Sequence, residues 1–520
     1  MSRRRTDAVP GIKPRETGKI STRPAASLKG EKTMNLSKDL QENIAYLREK
    51  LPLDRSFDLM TRDLLLGETK AFFLGVNGFC KTDVLQQIFS DLQNPLYMND
   101  NIVANIETYI RARLGYAQVT LTDSWETLIR NVLSGPSALF VDGFDRAVLI
   151  DVRTYPARSV AEPDLERVTR GARDGFVETL LLNTNLIRRR IRSPRLVFSM
   201  HCVGAESRTD VAVAYLEDKV NQGLLDRVCR RIDELRVSSL TMGSKSLEEL
   251  LLPKRWWNPL PSIQVTERPD VACSYLTEGH ILLIVDNSPV VLIVPCTIFQ
   301  FTQSPEDYYN SPSVGTYFRL VRFLCIPVSL LLMPVFLLLG AYFPEVSSRW
   351  NMLASEPLEP TRLFVYILVV EFMLDLFKYS SSLSSGKFSG SLSMIGGLLI
   401  GDIAVSLNWA SVEVLFYGAV TLLASLSISS TEFSDALRLY RILLIAATGF
   451  FGLPGFLIAL GLTLLSMATT PTLGGFSYFW PLFPFNGKAL GRLLFRSPTP
   501  KAQPVKVWNR GKVHEKKKEK

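Results

Sequence analysis

Residues 323–343 read FLCIPVSLLLMPVFLLLGAYF, a run without one charged side chain. A helix needs about twenty apolar residues to cross a bilayer, and this run supplies them. Four further apolar stretches follow at 363–377, 392–407, 412–428 and 442–468, the last broken by Gly452-Leu453-Pro454-Gly455. Between about 322 and 470 charges nearly vanish, whereas up to about 312 charged and apolar residues mix as in a globular protein. The composition boundary predicts a two-part α/β (α+β) cytoplasmic domain followed by a polytopic all-α transmembrane domain. The expected organisation is a basic, disordered segment at 1–50, α/β subdomains at 51–152 and 160–312, a transmembrane domain at 318–470, and an interfacial segment with a basic cytoplasmic tail at 471–520.

The chain has 520 residues and a net charge of +9, concentrated at its ends in Arg3, Arg4, Arg5, Lys13 and Arg15 and in Lys516, Lys517 and Lys518. Basic ends of a membrane protein are retained in the cytoplasm. No basic patch interleaved with aromatics points to nucleic acid. Residues 1–28 lack the apolar run of a secretory signal. Six cysteines without paired spacing and three histidines supply neither a zinc site nor a catalytic triad, so no metal, cofactor or enzymatic role is expected.

In the soluble half, KAFFLGV (70–76) reads as a buried strand, followed after Asn77-Gly78 by a helix to about Leu92. Asp142-Gly143 sits between two β-rich runs as a hairpin turn. A helix predicted over 173–192 ends in Arg188, Arg189, Arg190 and Arg192, with Arg195 just beyond, where the helix dipole favours cations. These arginines are candidate subunit or headgroup contacts. The apolar stretch 279–301 would pass a hydropathy test, but Asp286-Asn287-Ser288-Pro289 divides it into two β-branched runs, so it reads as a buried hairpin. No internal repeat and no phosphate-binding glycine motif is legible.

Arginines and lysines near the spans alternate in a way that places the N-terminus inside: Arg319 and Arg322 before the first, Lys378 and Lys387 after the second, Arg438 and Arg441 after the fourth. A break at Gly452 to Gly455 that turned the chain back would keep the tail on the same side. The aromatic stretch FSYFWPLFPF (476–485) reads as an interfacial belt. The most informative residues are the intramembrane carboxylates Glu371, Asp375, Asp402 and Glu413, because ionisable groups at such depth line ion paths or pair with one another. Gly397 and Gly401 give the third span a small-residue side for close helix packing, so that it is a candidate pore-lining helix of a homo-oligomer.

Three long stretches carry a resemblance: VTRGARDGFVETLLLNTNLIRRRIRSPR (168–195), ERPDVACSYLTEGHILLIVDNSPVVLIVPCTIFQFTQSPEDYY (267–309) and GTYFRLVRF (315–323). The chain resembles the A-subunit family of bacterial spore germinant receptors. Residues 155–173, 394–435 and 486–500 resemble its stage V sporulation protein AF branch. EFMLDLFK (371–378) departs from the acid-Arg-Glu-Ala cluster of the receptor subunits. The resemblance implies a multi-pass protein of the spore inner membrane whose N-terminal domain and tail face the spore core. It also implies a homo-oligomer, a pentamer being one form, around a path for monovalent cations, with other spore germination membrane proteins as partners. The function expected is a non-enzymatic germination channel or channel subunit; a non-conducting scaffold for receptor or dipicolinate-release complexes, or a secondary transporter, are the other readings.

Overall fold

The computed structural model describes residues 35–80, 82–93, 118–154, 166, 168, 170–252, 256–343, 345–346, 359–383, 406 and 411–496. The first α/β unit runs α1 (Leu40–Lys50), β1 (Leu59–Leu66), β2 (Thr69–Val76), α2 (Thr82–Leu92), β3 (Gln118–Thr122), α3 (Trp125–Val132), β4 (Ser137–Val141) and β5 (Ala147–Asp151). All its strands pair antiparallel in the order β1-β2-β4-β5-β3. Alternation along β2 fills both faces. Phe72, Leu74 and Val76 pack with Leu47, Trp125 and Leu128 of α1 and α3, while Ala71 and Phe73 pack with Ile88 and Phe89 of α2.

The second unit repeats this plan with α4 (Leu180–Arg190), β6 (Leu196–Val203), β7 (Thr209–Leu216), α5 (Gln222–Asp233), α6 (Ser244–Leu251), β8 (Gln264–Thr266), α7 (Pro269–Glu278), β9 (Ile281–Val285) and β10 (Val291–Val294). Its strand order, β6-β7-β9-β10-β8, is that of the first unit. The correspondence reaches single hydrogen bonds. Asn43 spans the entry to α1, accepting from the Ser37 amide at 3.0 Å and donating to its carbonyl at 2.7 Å; Asn183 does the same with Val177 at 2.8 and 2.5 Å. Asp142 in the β4–β5 turn accepts from the Leu40 amide at 3.2 Å, and Asp286 in the β9–β10 turn accepts from the Leu180 amide at 3.1 Å. The next residue of each turn, Gly143 or Asn287, has positive φ. The two units are therefore a structural duplication, which the sequence concealed because the shared residues are only those that cap helices and set turns.

Residues 279–301 contain the β9–β10 hairpin, in register Val291 to Ile284. The predicted helix over 173–192 is shortened to Leu180–Arg190. Asn183 caps the Val177 amide, and the Phe176 amide donates to the Glu267 carbonyl at 2.8 Å, which holds the preceding residues extended.

The helical region comprises α8 (Glu306–Tyr309), α9 (Pro312–Tyr342), α10 (Pro360–Leu383), α11 (Val412–Leu426), α12 (Thr431–Ala468) and α13 (Gly487–Leu494). Of the helices among the described residues, α9 and α12 are long and apolar enough to cross a membrane. α12 is not a rod. Gly452 leaves helical geometry at φ 62°, ψ −142°, and Pro454 follows. In a straight helix Tyr440 and Ser466 would lie about 39 Å apart at 1.5 Å per residue, yet their hydroxyls are hydrogen-bonded at 2.7 Å. The element is a helical hairpin with its tip at Gly452, and both its ends meet the second α/β unit: Phe433 stacks on Phe301, while Thr470 accepts from Asn258 at 2.8 Å. Tyr342, at the far end of α9, donates to the Gly449 carbonyl at 3.2 Å, so α9 reaches the same level as the hairpin tip.

Candidate functional site in the helical region

The carboxylates singled out from sequence on α10 do not stand free. They face the first arm of α12, which runs antiparallel to α10, and three ionic rungs join the two helices. Glu371, on an α10 face with residues 375 and 378 by the helical repeat, receives the guanidinium of Arg441 through two bonds, Nε to Oε1 and Nη2 to Oε2, each 2.8 Å. Arg441 also donates Nη1 to the Ser329 carbonyl of α9 at 2.8 Å. One turn on, Asp375 pairs with Arg438 at 3.2 Å, and Lys378 pairs with Asp435. The rungs differ in exposure. The Glu371 and Arg441 side chains are 3% and 4% exposed, those of Asp375 and Arg438 28% and 26%, so the ladder climbs from a wet end into the apolar bundle.

This changes the reading of three residues. Arg438 and Arg441 are not loop cations after a span, nor is Lys378; all lie within helices and are paired. Charge counting could not see this, because it ignores depth. A usable signal was present, however: acid, acid and base at 371, 375 and 378 complement base, base and acid at 441, 438 and 435 at helical spacing. Glu413 lies in the first turn of α11. Asp402, Gly397 and Gly401 lie outside the described residues.

The arginines at the end of α4 divide. Arg188 is buried and serves the chain's own architecture: Nε donates to Asp58 Oδ2 at 2.6 Å, Nη1 to the Ser193 carbonyl and Nη2 to the Leu196 carbonyl, both at 2.9 Å. Asp58 belongs to the first unit, so this ion pair joins the two units and Arg188 does not face an outside partner. Arg192 also reaches the first unit, at Ser134 Oγ, 3.2 Å. Arg190 is held by both oxygens of Asp174 at 2.6 and 2.7 Å. Arg189, one residue before the end of α4, is exposed.

Two further groups escaped the sequence. Asp307, fully buried in α8, accepts from Arg319 Nε at 3.1 Å and from Arg322 Nη2, which ties the stem of the soluble half to the first turns of α9. Beside it lies a cavity of about 210 Å³ lined by Glu166, Glu278, Tyr308 and Tyr309 among others. Burial pushes the Glu166 carboxyl up to about 7 against the hydrogen bonds it accepts from Thr266 Oγ1 and the Glu267 amide. Behind the joint, His280 donates Nδ1–H to the Tyr275 carbonyl and accepts at Nε2 from Gln300, whose own oxygen is held by the Thr297 amide. That arrangement fits the neutral ring, and burial lowers its pKa to about 4. Among the described residues no cluster of histidine, cysteine and carboxylate side chains is placed to hold a metal ion.

The model of the family described as Bacillus/Clostridium GerA spore germination protein matches residues 45–506. Stage V sporulation protein AF of Bacillus subtilis (strain 168) is 33% identical over 476 residues, covering 91% of this chain and 95% of that protein. Spore germination protein KA of the same organism is 27% identical over 473 residues, 90% of this chain and 86% of that one. Among solved structures, the crystal structure of the N-terminal domain of the A subunit of the Bacillus megaterium spore germinant receptor GerK3 covers 51% of this chain and 97% of that one at 24% identity, with a TM-score of 0.39. With a match that takes in nearly all of both α/β units and the whole described helical region, this chain belongs to the GerA family of spore germination proteins.

Proposed function

We propose that this chain is a multi-pass protein of the spore inner membrane that assembles as a homo-oligomer, a pentamer being one form, and passes monovalent cations during germination together with other spore germination membrane proteins. The ladder Glu371–Arg441, Asp375–Arg438, Lys378–Asp435 carries this reading, because charged side chains inside an apolar bundle are costly and are retained where polar groups must cross it. The geometry supports a topology with both α/β units and the tail on one side: α9 leaves the soluble half, α10 returns to it, and the α12 hairpin leaves and returns. That arrangement needs α11 to run inward, which agrees with Ile428, just past its end, packing beside Leu260 and Phe433.

In this reading Glu371 and Asp375 stabilise the wall of the path through their arginines. The conducting surface is assigned to the third span, with Asp402, Gly397 and Gly401, and to Glu413 at the entry of α11. Arg189 remains the basic side chain of α4 proposed for subunit or headgroup contact. The test is cation leakage from liposomes containing the full chain. Asp402→Ala and Glu413→Ala are expected to lower the flux at least several-fold while the protein remains folded. Conduction indifferent to both removes the path assignment; no conduction, alone or with partner germination proteins, favours the non-conducting scaffold.

A further inference from the structure

Trp256 is the most exposed large apolar side chain among the described residues, at 92%, and its neighbour Trp257 is 61% exposed. The two rings stand edge to face, centroids 6.3 Å apart at 87°. An indole carries some 150–250 Å² of surface, so leaving two in water side by side calls for a partner. The residues that follow place the pair in the fold. Asn258 donates to Thr470 at 2.8 Å and accepts from Tyr440 at 3.2 Å; Leu260 packs with Leu330, Phe433 and Met467; and the Pro261 carbonyl accepts from Tyr478 at 2.8 Å. The loop is thus pinned to the open end of the α12 hairpin, at the level where the apolar helices meet the second α/β unit. Phe483 and Phe485, each 73% exposed, come from the segment that leaves the same end, so the pair does not stand alone as apolar surface there.

We propose that Trp256 and Trp257 insert into the headgroup–acyl boundary of the cytoplasmic leaflet and anchor the second α/β unit against the bilayer. The inference rests on the membrane reading above. Tryptophan is suited to this layer, since its ring body is apolar and its N–H requires a polar partner. Neither indole N–H has an acceptor among the described residues, and lipid headgroups and their water supply acceptors at that depth.

The experiment uses the full chain in phosphatidylcholine/phosphatidylglycerol vesicles and the double variant Trp256→Phe/Trp257→Phe. Subtracting the emission of the variant from that of the parent isolates these two of the seven tryptophans. The expected result is a difference emission quenched more strongly by lipid brominated near the headgroup end of the acyl chain than by lipid brominated near its terminus. A difference emission quenched by aqueous iodide and untouched by either brominated lipid overturns the anchor, as does one shielded from both, which marks a protein partner or a second copy. Retention of parent and variant in the vesicles after alkaline carbonate washing reports the membrane reading separately: loss of retention in both defeats that reading, whereas an unquenched pair in retained protein defeats only the anchor.

Discussion

The ion pair between Asp58 and Arg188 shows how much a single residue can decide here. Its partners lie 130 positions apart in sequence, both side chains are fully buried, and each guanidinium nitrogen donates once, to one carboxylate and two carbonyls. Removing one partner leaves the other charge without water or counter-charge, so Arg188→Met is expected to lower stability by about 3–5 kcal/mol, with much of the loss restored when Asp58→Leu is added. Denaturant unfolding of the full chain in detergent measures both. A second expectation concerns protons. His280 is neutral in the fold, with its pKa lowered from 6.5 to about 4, so the unfolded chain takes up a proton more readily. Stability is therefore fully present above about pH 6.5 and falls as pH drops toward 4, by up to about 3 kcal/mol from this group. Protonation would set an Nε2–H against the Gln300 amide that now donates to it. Thermal unfolding between pH 7 and 4 should show that decline flattened in His280→Gln. Sequence could not announce either residue: an arginine among arginines and a lone histidine carry no local signal of burial.

Among the elements, the buried strand at 70–76, the helix after it and the two hairpins of the soluble half were legible because their patterns are local. KAFFLGV is apolar on both faces since helices cover both, and Asp142-Gly143 specifies its turn chemically. The duplication of the two units was not legible, because what they share is strand order and a few capping contacts rather than a run of identities. The α12 hairpin falls between these cases. Gly452-Leu453-Pro454-Gly455 marked the break, but the direction of the chain after it depends on Gly452, whose conformation is open to glycine alone. A Cβ there would also approach the Tyr342 ring at 3.1 Å, whereas one at Gly461 meets nothing within 4 Å. Gly452→Ala is expected to cost about 1–3 kcal/mol, and Gly461→Ala to be neutral or to stabilise by about 0.5–1 kcal/mol. Thermal unfolding in detergent distinguishes them.

For the whole molecule, the membrane arrangement proposed above, with the soluble units and both ends of the hairpin on one side, makes a direct labelling prediction. In a cysteine-free background, Thr431→Cys and Thr469→Cys are expected to react with an impermeant maleimide from the same side of sealed vesicles, and Phe451→Cys, near the tip, only from the other. Labelling of Thr469→Cys with Phe451→Cys would require the second arm to end across the membrane. Legible in the amino-acid sequence alone were the mixed α/β half preceding an apolar helical half, the turn within residues 279–301 in place of a crossing, and the carboxylates carried among apolar helices. Those follow from periodicity, turn chemistry and the cost of placing charge in hydrocarbon, all of which act over short stretches of chain. It took the folded chain to reveal that Glu371 belongs to Arg441, that Arg188 faces inward to Asp58, and that Thr431–Ala468 doubles back. Each is a contact between residues far apart in sequence, and its stability comes from burial that exists only once the chain has folded.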